Sequence, residues 1–269
     1  MRQTNVKKRS EGKKSKLRST VWIVIIAIVV IVGILGFIFL RKPAVPQKGK
    51  SGASTANGAI EQFVGAIAEA DYQKALDSFD TEERVERFDL KLFIEQTQVF
   101  MPNQVPAPRE EAYEVLNRAY FEGKAADQIK TFLFGLQTVR SGEQEISMSS
   151  EVFLGATGDA QPIIDVLKPE NLVGVRVLSI DDANPTLQDA EINKGYTESL
   201  KKTYGCDNIR EYTALIQMGE MYYKAGFTLA QYDTGWKIMS LLSPMSGITT
   251  EGMLIRTTEE VYRGELEAY

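Results

Sequence analysis

The apolar positions of this chain fall into three regimes: one unbroken run, then stripes at helical spacing, then alternation. The unbroken run, residues 21–40, has 20 residues and no charge. A helix of about 20 residues is about 30 Å long, which matches the hydrocarbon core of a bilayer. Only a helix satisfies all of its backbone groups there in one segment. We therefore predict a transmembrane helix over residues 20–40.

A cleaved signal peptide is the alternative interpretation of this run. Such a peptide has an apolar core of roughly 7–15 residues followed by a small-residue cleavage site. Here the core is longer, and Arg41, Lys42 and Pro43 follow it directly. These features favour an uncleaved anchor.

The charges beside the run predict its orientation. Eight Lys and Arg and one Glu precede it in residues 1–19, whereas only four basic residues, Arg41, Lys42, Lys48 and Lys50, follow it in residues 41–50. The more basic side stays in the cytoplasm. We expect a single-pass protein of the cell membrane with a cytoplasmic tail, residues 1–19, and an extracytoplasmic C-terminal domain. The lipid bilayer is its first predicted partner, and the tail also suits anionic lipid.

Apolar stripes at helical spacing fill the first half of the extracytoplasmic part, which follows the predicted span. Residues 41–57, rich in Pro, Gly and Ser, predict a flexible linker. Five helical stretches follow, and Asp80 with Glu83 has the spacing of a capping box at the start of the third. The stripes comprise Ile60, Phe63, Val64, Ile67 and Ala68; Tyr72, Ala75, Leu76 and Phe79; Val85, Phe88, Leu92, Ile94 and Val99; Ala112, Tyr113, Leu116 and Tyr120; and Ile129, Phe132, Leu133 and Leu136.

The second half alternates at the period of a strand. Residues 172–180, 212–218, 221–232 and 236–242 are predicted strands, and Gly235 supplies the turn of a hairpin between the last two. A helix over residues 198–204 ends at Gly205. Residues 246–269 are weakly patterned and predict a C-terminal tail or helix outside a domain spanning residues 58–245. Helices before an antiparallel meander indicate an α+β fold, with helices across one face of a curved sheet.

Two stretches resemble the nuclear-transport-factor-2-like superfamily of cone-shaped α+β domains. Residues 59–75 are similar to its opening helix, with the step Ala70-Asp71-Tyr72, and residues 226–241 are similar to its closing hairpin, with Trp236 starting the last strand. The resemblance implies a pocket between sheet and helices. It implies no reaction, because that fold hosts enzymes, binders and scaffolds. The region between the two stretches is longer than one such domain needs, which leaves one or two domains open.

Composition excludes several kinds of chemistry. The chain has no histidine and one cysteine, so Ser-His-Asp triads, Cys-His pairs and His-ligated metals cannot form within it. Residues 51–269 carry 19 Lys and Arg against 35 Asp and Glu, a net charge of −16. Nucleic acid is a poor partner for so acidic a domain. We expect no cofactor and no metal.

The remaining candidate residues are weak ones. Asp71, with Asp77 and Asp80, could present carboxylates at a pocket mouth, although helix capping is the plainer role. Cys206 is more simply a small residue than a reactive thiol, and residues 182–189 lack the glycine of a calcium loop. Aromatic residues of the last strands could line a pocket or fill a core. The candidate pocket residues are Tyr222, Phe227, Trp236 and Asp71.

The function predicted from these features is binding or scaffolding. We expect a membrane-anchored, non-enzymatic extracytoplasmic domain that binds a protein or envelope component. The alternative is a small-molecule binder or histidine-free enzyme with a pocket between sheet and helices, and a spacer or assembly subunit is a third possibility. A short basic tail, one span and no disulfide are in the style of a bacterial membrane protein.

Overall fold

The computed structural model describes residues 51–141, 144–147, 158–172 and 174–268. The predicted tail (1–19), membrane span (20–40) and most of the linker (41–50) lie outside these residues. Within the described part, no helix has the length and apolar character needed to cross a bilayer. The helices are α1 (Ala56–Ala68), α2 (Tyr72–Asp77), α3 (Thr81–Arg87), α4 (Leu90–Thr97), α5 (Glu114–Gly135), α6 (Gln161–Val166), α7 (Pro185–Gln188), α8 (Glu191–Tyr204) and α9 (Glu259–Glu267).

The first helix begins inside the segment that the sequence assigns to the linker. The Thr55 side chain accepts a hydrogen bond from the Gly58 backbone N–H at 3.0 Å, which caps α1. Just before it, Ala53 pairs with Trp236 as an isolated β-bridge. The chain is therefore fixed to the sheet before α1 starts.

The third predicted helix is two helices, α3 and α4. The backbone extends at Phe88, and the Asp89 carboxylate then accepts the Leu92 N–H at 2.9 Å as a new N-cap. The Asp89 N–H donates to the Thr203 carbonyl at 2.8 Å, so α8 holds this break in place. Conversely, the fourth and fifth predicted helices are one continuous helix, α5.

The strands form a five-stranded antiparallel sheet and a separate hairpin. The sheet has the order β3-β4-β5-β6, and β7 pairs with β5 beyond the end of β6. Register shifts leave one extra residue in β3, between Val177 and Ser179, and one in β6, between Ile238 and Ser240, and such bulges bend strands and curve a sheet. The strands are β3 (Arg176–Asp182), β4 (Asn208–Met218), β5 (Met221–Tyr232), β6 (Gly235–Ser240) and β7 (Leu254–Thr257), and the hairpin consists of β1 (Thr138–Ser141) and β2 (Gln144–Ser147).

One face of the sheet carries the main hydrophobic core. Phe63 of α1 packs edge-to-face on Phe132 of α5 and on Phe227 of β5, with ring centroids 5.2 and 6.1 Å apart. Ile216 of β4 and Ile238 of β6 are fully buried in the same cluster. The helical stripe of α1 and the alternation of the strands thus meet in this layer.

Helices also cover the opposite face. Ala230 and Tyr232 of β5, which alternate with Leu229 of the main core, pack instead with Leu200 and Tyr204 of α8. Further along, the Tyr262 hydroxyl of α9 donates to the Asp181 carboxylate at 2.9 Å and to the Thr213 carbonyl at 3.2 Å. The α+β class with helices on a curved antiparallel sheet is confirmed, but the prediction that helices cover only one face is wrong.

The chain after residue 245 is joined to the same sheet. Residues 254–257 form β7 beside β5, and Lys224 of β5 binds Glu265 of α9 and the Ser246 carbonyl through its ammonium group. Lys224 is only 7% exposed. The weak sequence pattern of residues 246–269 did not indicate this strand.

Candidate functional site

The four residues predicted to line one pocket lie apart. Phe227 is fully buried in the main core, where its ring contacts Phe63. Tyr222 pairs with Thr257 near one end of β5, whereas Trp236 pairs with Gln231 near the other. Nine residues of strand span about 30 Å, so these two side chains cannot share a small site.

Asp71 caps a helix, which is the simpler of the two roles predicted for it. Its carboxylate accepts the Lys74 N–H at 3.0 Å and caps α2. Trp236 lines a shallow cavity of about 130 Å³ together with Lys74, Asp77 and Lys237, at the place where Ala53 meets β6. The Lys237 ammonium donates to the Asp77 carbonyl at 2.7 Å across this region. This cavity is small, and the ammonium group of Lys237 is already bound to a backbone carbonyl.

Asp80 does not cap α3 and forms no capping box. Its carboxylate is 2% exposed, lies 2.7 Å from Arg84 Nε and accepts the Tyr232 hydroxyl at 2.9 Å. The Arg84 guanidinium donates to the Met239 carbonyl and lies 5.3 Å from the centre of the Tyr204 ring. The pair thus joins α3 to β5, β6 and α8, which is a structural use of ionisable groups.

Ionisation in this cluster is set by burial and by the ion pair. Burial alone would lower the pKa of Arg84, but the Asp80 carboxylate raises it above its ordinary value. Burial, and then Asp80, raises the pKa of the Tyr232 hydroxyl well above its ordinary range. The same two causes raise the pKa of the Cys206 thiol to about 12. Cys206 is therefore a neutral core residue at physiological pH.

A larger cavity among the described residues lies elsewhere, between α8 and the sheet. A cleft of about 330 Å³ opens between this helix and the start of β4, and we call it the α8 cleft. Its floor is formed by β4 and β5, and its wall by α8. The lining residues are Gln188, Asp189, Lys194, Tyr196, Thr197, Glu198, Leu200, Lys201, Asn208, Ile209, Arg210, Glu211, Thr228 and Met245.

Glu211 is held rigidly on the floor of this cleft. Its carboxylate atom Oε2 accepts the Ser243 hydroxyl at 2.7 Å and the Met245 N–H at 3.0 Å. The Gln188 side chain accepts the Glu211 N–H at 2.9 Å and donates to the Glu211 carbonyl at 2.9 Å. Backbone and carboxylate are thus both oriented before any ligand arrives.

The other charges of the cleft are already paired. Lys194 binds Glu191 at 2.9 Å, and Lys201 binds Glu198 at 2.8 Å. Arg210 lies 3.1 Å from Asp182 and 3.7 Å from Asp189. Within the described part of the chain, Glu211 has no cationic partner, and its atom Oε1 accepts no hydrogen bond.

Sequence reasoning missed this site because the strand was placed too late. The predicted strand begins at Tyr212, so Asn208, Arg210 and Glu211 belong to no predicted element. The predicted helix, residues 198–204, covers only the second half of α8. Extending the alternation back from Thr213 puts Ile209 and Glu211 on the same face. A carboxylate on the same face as Ile209 and Leu215 is the available signal.

The fold is similar to that of a solved cystatin-like protein from Ruminococcus gnavus. The TM-score is 0.51 at 18% sequence identity, and the match covers 74% of this chain and 44% of that chain. The match therefore spans less than half the length of that protein. At this identity the likeness establishes the cystatin-like α+β fold alone. No protein-family model and no curated protein matches the sequence.

Proposed function

We propose that this chain is a membrane-anchored, non-enzymatic binding domain that holds a protein or envelope component on the extracytoplasmic side. The observation that carries the proposal is the α8 cleft with its oriented, unpaired carboxylate. Preorganised polar groups in a concave surface are typical of binding sites. The anchor is the predicted span 20–40, and the lipid bilayer is the surface from which the domain extends.

The filled main core supports a site on the other side of the sheet. In the nuclear-transport-factor-2-like cone that the sequence resembles, a pocket would lie between sheet and helices. Here Phe63, Phe132 and Phe227 fill that layer with edge-to-face contacts. We propose that the protein is a variant of that cone architecture in which the binding surface lies on the α8 side of the sheet.

The chemistry of the ionisable groups supports binding over catalysis. The chain has no histidine, and burial keeps Cys206 protonated by raising its pKa to about 12. A general base needs a poised pKa and a nucleophile needs an activating partner. The α8 cleft instead offers one oriented carboxylate among charges that neutralise one another, an arrangement suited to recognition.

The test is capture of a partner from membranes by the full-length chain in a non-ionic detergent. Thr197 of α8 lines the cleft, and Thr197→Trp would fill it. Thr250 is exposed and outside the cleft lining, so Thr250→Trp is the matched control. We expect a specific partner with the parent chain and the control and its loss with Thr197→Trp. Equal capture by all three chains would count against the α8 cleft, and no specific partner would count against the binding role.

The volume of the cleft supports a small-molecule binder as the second candidate. Ligand pockets range from about 300 to 1,000 Å³, and this cleft lies at the lower limit. A metabolite that raises the unfolding temperature of the parent chain but not of Thr197→Trp would favour this alternative over a macromolecular partner.

A further inference from the structure

We propose that the α8 cleft recognises a lysine or arginine side chain of a polypeptide partner, with Glu211 as the residue that contacts the cation. This inference rests on the proposed function and specifies the chemistry of its ligand. It begins from one imbalance: each cation of the cleft has a carboxylate, whereas Glu211 has only neutral donors among the described residues.

The geometry leaves one face of the Glu211 carboxylate available. Oε2 accepts hydrogen bonds from the Ser243 hydroxyl and the Met245 N–H. Oε1 remains for a ligand donor. A cationic N–H group would complete the site with a charge-assisted hydrogen bond, whereas an anionic ligand would be repelled.

The walls suit the stem of such a side chain. Leu200, Ile209 and Met245 bring apolar groups to the cleft, and Tyr196 stands at it with 64% of its surface exposed. Lysine and arginine bury their methylene stems on apolar surface and keep the charged head at a polar group. The exposed tyrosine ring can add a cation–π contact.

The charge of the whole outer part favours a basic partner. Residues 51–269 have a net charge of −16. A field of one sign accelerates the approach of oppositely charged partners and rejects like-charged ones. A volume of about 330 Å³ accommodates one side chain with its flanking backbone more readily than a larger organic cofactor.

The test uses the full-length chain in non-ionic detergent at low ionic strength and fluorescence anisotropy of labelled, terminally blocked pentapeptides. The peptides have the form Ala-Ala-Xaa-Ala-Ala, with Xaa as arginine, lysine, citrulline or glutamate. Citrulline keeps the shape of arginine and removes its charge. We expect arginine and lysine peptides to bind at least about tenfold more tightly than the citrulline peptide.

Glu211→Gln is the decisive variant, because its side-chain oxygen can still accept from Ser243 and Met245 while the charge is gone. We expect it to abolish the preference for basic peptides. Glu220 lies exposed between β4 and β5, outside the cleft, so Glu220→Gln should leave the preference unchanged. Circular dichroism confirms that both variants are folded.

Three results would overturn the inference. The citrulline peptide could bind as tightly as the arginine peptide, Glu211→Gln could retain the preference, or free arginine amide could bind as tightly as the peptide, which would assign the site to a small cation. The proposed function is tested separately. If Glu211→Gln captures the membrane partner as well as the parent chain while Thr197→Trp does not, the binding role stands and the cation contact is removed.

Discussion

Asp80 lies one residue before α3, where a carboxylate would ordinarily cap the helix, yet it faces the core and binds Arg84 and Tyr232. The sequence spacing of Asp80 and Glu83 fits a capping box, but a capping box satisfies only two backbone donors. The buried ion pair instead satisfies groups from α3, β5 and β6 at once. Local spacing did not predict this choice because Tyr232 is distant in sequence.

Removing either member of the Asp80–Arg84 ion pair should destabilise the fold. We expect Asp80→Ala to lower the free energy of unfolding by about 3–5 kcal/mol, because the Arg84 charge loses its partner in the interior. The measurement is chemical denaturation of the full chain followed by circular dichroism. In the double variant with Arg84→Met the loss should be smaller than the sum of the two single losses. Additive losses would show that the two residues do not act as a pair.

The buried thiol of Cys206 should make the fold less stable at alkaline pH. Its pKa rises from the ordinary 9.0 to about 12 on folding, so between these values the folded state binds more protons than the unfolded state. Stability therefore falls as pH rises through this window, by up to about 1.4 kcal/mol per pH unit for one group. Cys206→Ala should make the fall shallower between pH 9 and 12 in urea titrations. An unchanged slope would contradict a buried, neutral thiol.

The C-terminal helix is the element whose role the sequence least indicated. Helix α9 is held by the Tyr262 hydroxyl, which donates to Asp181 and to the Thr213 carbonyl. Tyr262→Phe should destabilise its docking by about 1–2 kcal/mol and leave the Asp181 carboxylate less satisfied. Amide hydrogen exchange should then accelerate in residues 259–267 before it does in β4. Tyr113→Phe, at an exposed tyrosine, should change neither segment.

Close packing at Gly226 of β5 supports the α8 cleft. A Cβ there would lie 2.6 Å from the Ser243 backbone nitrogen, and Ser243 donates to Glu211. Gly226→Ala should therefore destabilise the fold, by about 1–3 kcal/mol on the scale of overpacking. The same change at Gly65 of α1, where a Cβ meets nothing within 4 Å, should stabilise by about 0.5–1 kcal/mol. Thermal unfolding of the two variants measures both signs.

The sequence predicted elements better than their junctions. The hairpin of β5 and β6 was placed correctly because alternation and Gly235 mark it locally. The α3–α4 break was missed because it depends on the hydrogen bond from Asp89 to Thr203 of a distant helix. The covering of both sheet faces was missed because periodicity gives each element's apolar face and not the layer it meets.

For the whole molecule, anchoring is the part that stays a prediction. The run over residues 20–40 has the length of a span, and the basic excess before it predicts a cytoplasmic N-terminus. We expect the full chain to sediment with membranes and to resist extraction by carbonate. A chain lacking residues 20–40 should be recovered in the supernatant, and membrane retention of that deletion would argue against the anchor.

The candidate site could be predicted only in part at this scale. The sequence indicated an acidic outer domain without histidine chemistry, which restricts the function to a few classes. It did not indicate the α8 cleft, because Glu211, Ser243 and Gln188 come together only through the tertiary fold. Of the aromatic residues proposed for a pocket, Phe227 is buried in the main core, and Tyr222 and Trp236 lie near opposite ends of β5.

Photocrosslinking from the α8 cleft in intact membranes tests the central claim most directly. A photoreactive benzoylphenylalanine replaces Tyr196, an exposed aromatic residue that lines the cleft, in the full-length chain, and the same group replaces Thr250 as the control. We predict a discrete crosslinked polypeptide from position 196 and none from position 250, with loss of the product when Glu211→Gln is added. Crosslinks from both positions alike, or from position 250 alone, would contradict a binding site between α8 and the sheet.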